Sequence, residues 1–340
     1  MTTPRPQVPV IVLAGYLGAG KTTLLNHVLR QPGARVGVVI NDFGDINVDA
    51  AWVSGQIDEP AAISGGCLCC ISDTNELDTA LERLAAPRLR LDAIIVEASG
   101  LADPATLARM VRFSGAEGTR LGGVAEVVDA VHHAHTAPSG HDAATRWGAA
   151  SLVVVNKLDL LSPGDRAAYV GAIADTVHAR NPRALVVGTS AGSIDPALLY
   201  GVSEAADDPA QLPLRELLLE EARPHPHVHA DAVSVRAPAG ADPGRVIDLL
   251  ERPPAGVYRM KGTVVVRSGT RWRSYAVNLV GSSIHVASAP RAERSELAAI
   301  GLHLDVDTVR HRLDHAVAPG AGAPPAVGLR RLQRYRRLSR

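Results

Sequence analysis

Short apolar runs alternate with helix-like segments through the first two thirds of the chain. The apolar runs are rich in Val, Ile and Leu, and they occupy residues 8–14, 36–40, 92–96, 123–128, 151–155 and 184–188. Segments with helical character lie between them, at residues 22–30, 74–86, 104–113 and 163–179. Continuous apolar strands separated by helices are typical of a parallel sheet covered on both faces. The pattern therefore predicts an α/β domain over residues 1–205.

The pattern changes over residues 206–229. This segment holds a helix-like stretch at 214–222 and then Arg-Pro-His-Pro-His-Val-His, which we interpret as a Pro/His linker. Alternating strand-like runs follow at 232–235, 257–266, 275–280 and 283–287, together with helix-like segments at 244–251 and 307–315. Alternation of apolar and polar positions is typical of antiparallel strands with one buried face. We expect a small α+β domain over residues 230–317.

The composition narrows the classes of function. The chain has 340 residues, with 35 Lys and Arg against 35 Asp and Glu, and a formal net charge of +0. This balance argues against a general nucleic-acid-binding surface, because such proteins carry a basic excess. No apolar run approaches the ~20 residues that span a bilayer, and the polar N-terminus does not resemble a signal peptide. We expect a cytoplasmic protein with two domains.

The C-terminal segment differs from the rest of the chain. Residues 318–328 are rich in Ala, Pro and Gly, and residues 329–340 contain six arginines. This composition predicts a disordered tail over residues 318–340. An Arg-rich tail is also able to contact RNA, a ribosome or an acidic partner, and it is the one segment through which we expect any binding of nucleic acid.

Residues 15–22 fit the phosphate-binding pattern G-x-x-x-x-G-K-[ST], between a predicted strand and a predicted helix. Glycines allow backbone N–H groups to converge on phosphate oxygens, and the helix N-terminus adds a positive dipole end. We expect Lys21 to reach the β- and γ-phosphates and Thr22 to bind Mg²⁺. The expected phosphate-binding residues are Gly15, Gly18, Ala19, Gly20, Lys21, Thr22, Thr23 and, from the next motif, Gly100.

Glu97 follows the apolar run at 92–96, at the position where P-loop enzymes hold Mg²⁺ with an acidic residue, usually Asp. Glu97-Ala-Ser-Gly100 also has the spacing that lets the Gly100 N–H sense a γ-phosphate. A lone Glu after a strand is most often a solvated strand end. Downstream of a phosphate-binding loop, we interpret Glu97 as a Mg²⁺ residue.

Residues 156–159 read Asn-Lys-Leu-Asp and fit the pattern N-K-x-D after a predicted strand. The Asp159 carboxylate is able to accept hydrogen bonds from N1–H and the 2-amino group of guanine. Adenine lacks both donors and would leave a buried carboxylate unpaired, which is costly. The motifs in this order predict GTP rather than ATP. The expected guanine-binding residues are Asn156, which also ties the loop to the phosphate-binding loop, Lys157, Asp159, Ser190 and Ala191.

All three cysteines lie together, at Cys67, Cys69 and Cys70, beside two glycines. In a reducing compartment, clustered thiols are typical of metal binding rather than of a disulfide framework. Three thiolates leave a tetrahedral zinc site one ligand short, so we expect the fourth ligand from Asp42, Asp45 or a histidine. Thiolates favour Zn²⁺ or Cu⁺ over Mg²⁺ and do not distinguish among Zn²⁺, Co²⁺ and Ni²⁺.

Together, these segments resemble the CobW-type family of P-loop GTPases, which act as metal chaperones or insertases. The motifs that carry the resemblance are residues 15–25, 41–49, 65–70, 97–100, 156–159, 259–262 and 300–301. The resemblance covers residues 8–317 and implies a P-loop GTPase domain followed by a small α+β domain. The chain departs from the family pattern at Asp42, where relatives carry Glu, and the shorter side chain reduces its reach toward a metal.

By this resemblance, GTP loading orders a switch with Asn41, Asp45 and Asp49, and hydrolysis releases the metal ion to a client metalloprotein. The expected cofactors are GTP, Mg²⁺ and a transition metal, first Zn²⁺ and otherwise Co²⁺ or Ni²⁺. The alternatives are a nucleotide- and metal-regulated sensor without significant turnover, a cobalt-handling factor for cobalamin synthesis, and a P-loop kinase or ATPase. No oligomeric state follows from the sequence.

Other residues carry weaker patterns. In an extended chain the alternating histidines of the linker would share one side and so collect metal, although Pro/His linkers are often only solvated. These histidines are His225, His227 and His229, and a second group in a predicted loop is His132, His133, His135 and His141. Lys261 is one of only three lysines, with Lys21 and Lys157, and no nucleotide chemistry follows from its position.

Overall fold

The described residues form two β-sheets, one parallel and one antiparallel. The computed structural model describes residues 7–30, 35–40, 61–62, 75–100, 102–133, 146–200, 230–268, 271–320 and 326–339. The predicted linker at 206–229, with its helix-like stretch at 214–222, lies outside the described residues.

The strands of the first sheet are β1 (Val8–Gly15), β2 (Val36–Ile40), β3 (Ala61–Ala62), β4 (Ala93–Glu97), β5 (Thr119–Asp129), β6 (Leu152–Asn156) and β7 (Leu185–Gly188). They are parallel and lie in the order β3-β2-β4-β1-β5-β6-β7. All but the short edge strand β3 correspond to the six predicted apolar runs. Because β1 lies between β4 and β5, the segments that leave these three strands start side by side.

Among the described residues, the helices of this region are α1 (Lys21–Arg30), α2 (Asn75–Leu84), α3 (Pro104–Arg112), α4 (Arg166–His178) and α5 (Ala197–Tyr200). They cover both faces of the sheet: Ile11 and Leu13 of β1 share a core with α1 and α5, whereas Val10 and Val12 share another with α2 and α3. Successive side chains of a strand point to opposite faces, so a strand covered on both faces is apolar throughout. The predicted doubly covered parallel sheet is confirmed.

The second sheet is antiparallel and has the strands β8 (Asp231–Pro238), β9 (Val257–Ser268), β10 (Arg271–Val280), β11 (Ser283–Ser288) and β12 (Arg294–Gly301). Their order is β11-β10-β9-β12-β8, and α6 (Pro243–Glu251) and α7 (Val306–Val317) pack on the sheet. The sequence pattern did not predict β12, whose small alanines give weak alternation. Pairing with β8 on one side and β9 on the other holds this segment extended.

Three of the described helices begin at an aspartate that accepts backbone hydrogen bonds. Asp103, Asp242 and Asp305 cap α3, α6 and α7, and proline is the first residue of α3 and of α6. Both choices suit a helix start, where backbone N–H groups lack partners within the helix. No helix among the described residues has the length and apolar character needed to cross a membrane.

The two sheets share a packed interface. Tyr258, Val280 and Ile300 of the second sheet join the core formed by one face of the first sheet. The Arg259 guanidinium donates to the Gly122 carbonyl oxygen at 3.0 Å, and the Tyr258 hydroxyl lies 3.4 Å from Ser151 Oγ. Apolar burial and polar contacts therefore both connect the two parts of the chain.

The prediction of a disordered tail over residues 318–340 is wrong for the helix α8 (Ala326–Leu338). Leu332 of this helix is fully buried in the core of the second sheet, with Leu329 and Tyr335 packed against it. Arg331 pairs with Asp248 at 2.8 Å and with Glu251 at 2.7 Å. The arginine-rich composition concealed an apolar stripe at spacing three, which is enough to dock a helix.

We expect Leu332→Ala to lower the free energy of unfolding by about 2–5 kcal/mol, because it leaves a cavity in a closed core. Leu338→Ala, at a position of α8 that is 61% exposed, is the matched control and should change stability little. Urea denaturation measures both. Equal midpoints for the two variants would contradict the docking of α8.

Candidate functional site

The candidate site lies where the parallel strands β1, β4, β6 and β7 end. The carboxyl ends of parallel strands meet at one edge of a sheet, and ligands of open α/β sheets bind there. Each of the predicted nucleotide motifs follows one of these four strands.

The phosphate-binding loop leaves β1 and leads into α1. Gly15 has φ +146°, and a Cβ atom there would lie 2.5 Å from the Val127 carbonyl oxygen. Lys21 is buried, and its Nζ donates to the Gly15 carbonyl oxygen at 3.0 Å, so the side chain folds back over the loop. Gly18 has φ +77° with open space around it, and Thr23 is exposed on the first turn of α1. This arrangement suits a loop that wraps an anion.

Thr22 and Glu97 lie together. The Thr22 hydroxyl donates to Glu97 Oε1 at 3.1 Å, and Glu97 is only 5% exposed at the end of β4. A hydroxyl beside a carboxylate beneath a phosphate-binding loop is a set of oxygen donors that suits Mg²⁺. The sequence motifs, which are 75 residues apart, thus form one candidate cation site.

Gly100 lies against the phosphate-binding loop. A Cβ atom at Gly100 would be 2.7 Å from the Leu17 backbone nitrogen and 2.6 Å from its Cγ, so only a glycine fits without displacing the loop. The segment after β4 is therefore close enough for a change in one loop to move the other.

The side chain of Asn156 joins two loops. Its amide nitrogen donates to the Ala19 carbonyl oxygen at 3.0 Å, and its amide oxygen accepts from the Gly192 N–H at 2.9 Å. Asn156 is 2% exposed, and a Cβ atom at Gly20 would lie 2.2 Å from the same amide nitrogen. The loop after β7 is in this way held against the phosphate-binding loop.

The remaining predicted guanine-binding residues surround this bridge. Lys157 has φ +64°, and Asp159 is exposed in the 3₁₀ turn Leu158–Leu160 that follows. Ser190 and the exposed Ala191, with φ +52°, belong to the loop after β7. The fold thus brings the N-K-x-D segment and the loop after β7 to the same edge.

Asp129 holds the end of Lys157. The Lys157 Nζ lies 2.7 Å from Asp129 Oδ2, and His132 Nδ1 lies 3.0 Å from the same oxygen. Burial by itself would raise the pKa of Asp129. Hydrogen bonds from Lys157, His132 and two backbone N–H groups outweigh burial and lower the pKa to about 2. Asp129 therefore stays ionised and fixes the lysine stem.

A buried ion pair that the sequence reasoning missed lies under the site. The Arg146 Nε donates to Glu126 Oε1 at 2.9 Å, and Arg146 also donates to the Ala102 carbonyl oxygen at 3.2 Å. The guanidinium carbon lies 4.5 Å from the centre of the Tyr16 ring in the phosphate-binding loop. Burial raises the pKa of Glu126, and Arg146 opposes that shift. The feature of the sequence that could have indicated this ion pair is Glu126, a charged residue within the apolar run of β5.

Several predicted residues lie elsewhere. Lys261 is on β9 of the second sheet rather than at the edge of the first. Within the described residues, no group of three or more His, Cys, Asp or Glu could hold a metal ion. The predicted metal, switch and linker residues lie outside the described residues: Cys67, Cys69, Cys70, Asn41, Asp42, Asp45, Asp49, His225, His227 and His229.

Asp129 predicts a dependence of stability on pH. Its folded pKa of about 2 lies below the ~3.9 of an aspartate in the unfolded chain, so its stabilisation is present above pH ~4 and is lost as the pH falls toward about 2. We expect the unfolding free energy of the wild type to fall more than that of Asp129→Asn across this range in urea denaturation. Asp175→Asn, at an exposed position, should follow the wild type. Parallel curves for wild type and Asp129→Asn would contradict this assignment.

Comparison with known families and proteins gives a consistent result. The profile of the CobW/HypB/UreG nucleotide-binding domain matches residues 9–187, and that of the cobalamin synthesis protein cobW C-terminal domain matches residues 230–317. The chain is 29% identical to the zinc chaperone CobW of Sinorhizobium sp over 350 residues, which cover 90% of this chain and 97% of that protein.

A second relative, YjiA, is similar in sequence and has a solved structure. The zinc chaperone YjiA of Escherichia coli K12 is 32% identical over 208 residues, which cover 58% of this chain and 62% of YjiA. A crystal structure of the Zn(II)-bound YjiA GTPase from E. coli aligns over 93% of this chain and 99% of that one, with a TM-score of 0.42 and 21% identity. On the two profile matches, the chain belongs to the CobW/HypB/UreG family of nucleotide-binding proteins and carries the cobW C-terminal domain.

Proposed function

We propose that this protein is a GTP-hydrolysing metal chaperone that binds a transition metal, zinc first, and transfers it to a client metalloprotein. Membership of the CobW/HypB/UreG family supports a nucleotide-dependent role in metal handling. Relatives named zinc chaperone CobW, zinc chaperone YjiA and zinc-regulated GTPase metalloprotein activator 1 support zinc as the metal.

The observation that carries the nucleotide part is the bridge made by Asn156. One amide group contacts the phosphate-binding loop at Ala19 and the loop after β7 at Gly192. A nucleotide that spans these loops would have its phosphates at one and its base at the other. The bridge therefore sets the distance and orientation that a nucleotide must match.

The phosphate end has groups that would bind the phosphates and Mg²⁺. Lys21 and the backbone N–H groups of the loop are positioned to bind the phosphates, and Thr22 with Glu97 would hold Mg²⁺. When bound, Mg²⁺ neutralises charge that develops on the phosphate oxygens. The Arg146 guanidinium, stacked on Tyr16 and paired with Glu126, supports the loop from below.

The base end favours guanine through Asp159. This carboxylate would accept hydrogen bonds from N1–H and the 2-amino group, while the stem of Lys157, anchored on Asp129, would lie along the base. Ser190 and Ala191 are close in sequence to Gly192, and backbone N–H groups there would meet guanine O6. An adenine base would leave the carboxylate without a donor.

The metal part of the proposal rests on Cys67, Cys69 and Cys70, with Asp42 as the candidate fourth ligand. The metal is cargo, so a site one thiolate short of closed tetrahedral coordination suits transfer, since an exchangeable fourth position lets a client ligand enter. The cysteines fall between β3 and α2 in the chain, between the strand after the switch segment and the Glu97 motif. That position would couple metal release to the state of the nucleotide.

Asp159→Asn tests the nucleotide assignment. The amide it introduces can donate to the C2 carbonyl of xanthine but no longer accepts both guanine donors, so GTP affinity should fall roughly 10- to 100-fold while xanthosine triphosphate gains. Titration calorimetry and steady-state phosphate release would measure binding and turnover. Asp165→Asn, in the segment just after the 3₁₀ turn, is the control and should behave as the wild type.

Two outcomes would redirect the proposal. Tighter binding of ATP than of GTP by the wild type would favour the P-loop kinase or ATPase alternative. GTP binding without phosphate release, with and without bound zinc, would favour the nucleotide- and metal-regulated sensor.

Replacing Cys67, Cys69 and Cys70 together with Ser should abolish stoichiometric Zn²⁺ binding, because a serine hydroxyl does not supply the thiolate that zinc prefers. Competition with a chromophoric chelator measures the affinity. Replacing His225, His227 and His229 together with Ala is the matched control and should leave zinc binding in place. The reverse result would move the metal site to the linker histidines.

A further inference from the structure

A cavity lies between the two sheets, away from the edge that carries the nucleotide motifs. It has a volume of about 260 Å³ and is bounded by α3, the first half of β5, the segment 148–151 and the strands β10 and β11. Typical ligand pockets measure roughly 300–1,000 Å³, so this cavity fits a small ligand.

Among the described residues, the charged groups that line the cavity are all of one sign. They are Arg109, Arg112 and Arg120, and the described lining contains no aspartate or glutamate. A fourth arginine, Arg259, lies just behind the wall, where it donates to the carbonyl oxygen of the lining residue Gly122 at 3.0 Å. Three arginines therefore line one small space, Arg109 and Arg112 from the exposed side of α3 and Arg120 from β5. The Arg109 guanidinium also donates to Thr106 Oγ1 at 2.9 Å.

Little in the described part of the chain neutralises these charges. Arg120 donates to the side-chain oxygen of Asn278 at 3.1 Å and to the Leu121 carbonyl, and both acceptors are neutral. Burial and the repulsion of Arg259 lower the pKa of Arg120 to about 10. Arg109 is the exception, since it lies close enough to Asp103 to act on it electrostatically.

Neutral donors complete the lining. Asn181, Ser282 and Ser283 line the cavity together with His285. Burial and then Arg120 lower the pKa of His285 to about 4, against an opposing contribution from the Ser339 backbone. His285 is therefore neutral near pH 7 and adds no competing charge.

A buried arginine without a carboxylate is unfavourable, because desolvation of the cation is not repaid by an ion pair. An anion in the cavity would remove this cost. Guanidinium groups bind phosphate oxygens with two parallel hydrogen bonds, and a phosphate dianion accepts from more donors at once than a carboxylate does.

We propose that this cavity binds a small phosphate-bearing anion, held by Arg109, Arg112 and Arg120. The ligand is inorganic phosphate or a short phosphate monoester, since both present the same tetrahedral dianion and both fit the volume. Because its walls come from both sheets, occupancy would also fasten the second domain to the first. This inference does not depend on the proposed nucleotide or metal chemistry.

The test uses the full chain with excess GDP and Mg²⁺, which occupy the nucleotide site if that site binds phosphates. Inorganic phosphate, glycerol 3-phosphate and succinate are titrated separately by calorimetry. We expect saturable binding of one or both phosphate compounds and weaker binding of succinate. Whichever of inorganic phosphate and glycerol 3-phosphate binds more tightly shows whether the ligand is free phosphate or a phosphate monoester. Tighter binding of succinate, or no saturable binding of either phosphate compound, would overturn the proposal.

Two variants locate the binding. Arg120→Gln removes one cation, and Ser283→Asp places a carboxylate at the rim without disturbing the Arg120–Asn278 bond, so each should weaken phosphate binding at least about tenfold. Arg273→Gln, at an exposed position of β10, is the matched control. If Arg120→Gln fails to fold, the phosphate affinity of Ser283→Asp tests the proposal alone. Phosphate should also raise the melting temperature of the wild type but not of Ser283→Asp, and unchanged affinity in that variant would overturn the assignment.

Discussion

A single side-chain amide, that of Asn156, connects the two loops on which the candidate nucleotide site depends. It contacts a carbonyl oxygen of the phosphate-binding loop and an N–H of the loop after β7, and it is almost completely buried. The two bonds need one group that donates and one that accepts, which a side-chain amide supplies and an ionised carboxylate or ammonium does not. Gly20 has no Cβ because that atom would collide with the amide. The site is therefore organised around one hydrogen-bonded residue.

A buried ion pair beneath the site connects further elements to the phosphate-binding loop. The Glu126–Arg146 pair is buried under the phosphate-binding loop, touches the Tyr16 ring and reaches the Ala102 carbonyl after β4. A buried pair of this kind contributes little net stability but tolerates few alternative geometries. It links β5, the phosphate-binding loop and the Glu97 segment, which are the elements that a bound nucleotide would have to move together.

Cationic side chains between the sheets are paired differently from those at the nucleotide edge. At the nucleotide edge, Asp129 neutralises Lys157 and Glu126 neutralises Arg146. Between the sheets, the hydrogen bonds of Arg120 and Arg259 within the described part of the chain go to neutral oxygens. The same chain thus satisfies its cations internally at one place and leaves them for an external anion at another. This difference in pairing supports a separate anion site between the two sheets.

The local sequence was sufficient for the elements and the motifs. Unbroken apolar runs predicted six strands of the first sheet, because a strand covered on both faces must be apolar throughout. The glycines and Lys21 predicted the phosphate-binding loop, because their chemistry acts over a few residues.

Only the tertiary structure decided the rest: β12 is extended by its neighbours, and α8 folds because Leu332 and Arg331 find partners far away in the chain. Glu126 and Arg146 likewise acquire their roles only by meeting. Periodicity reports which face of an element is buried, whereas the partner that buries it depends on contacts between distant residues.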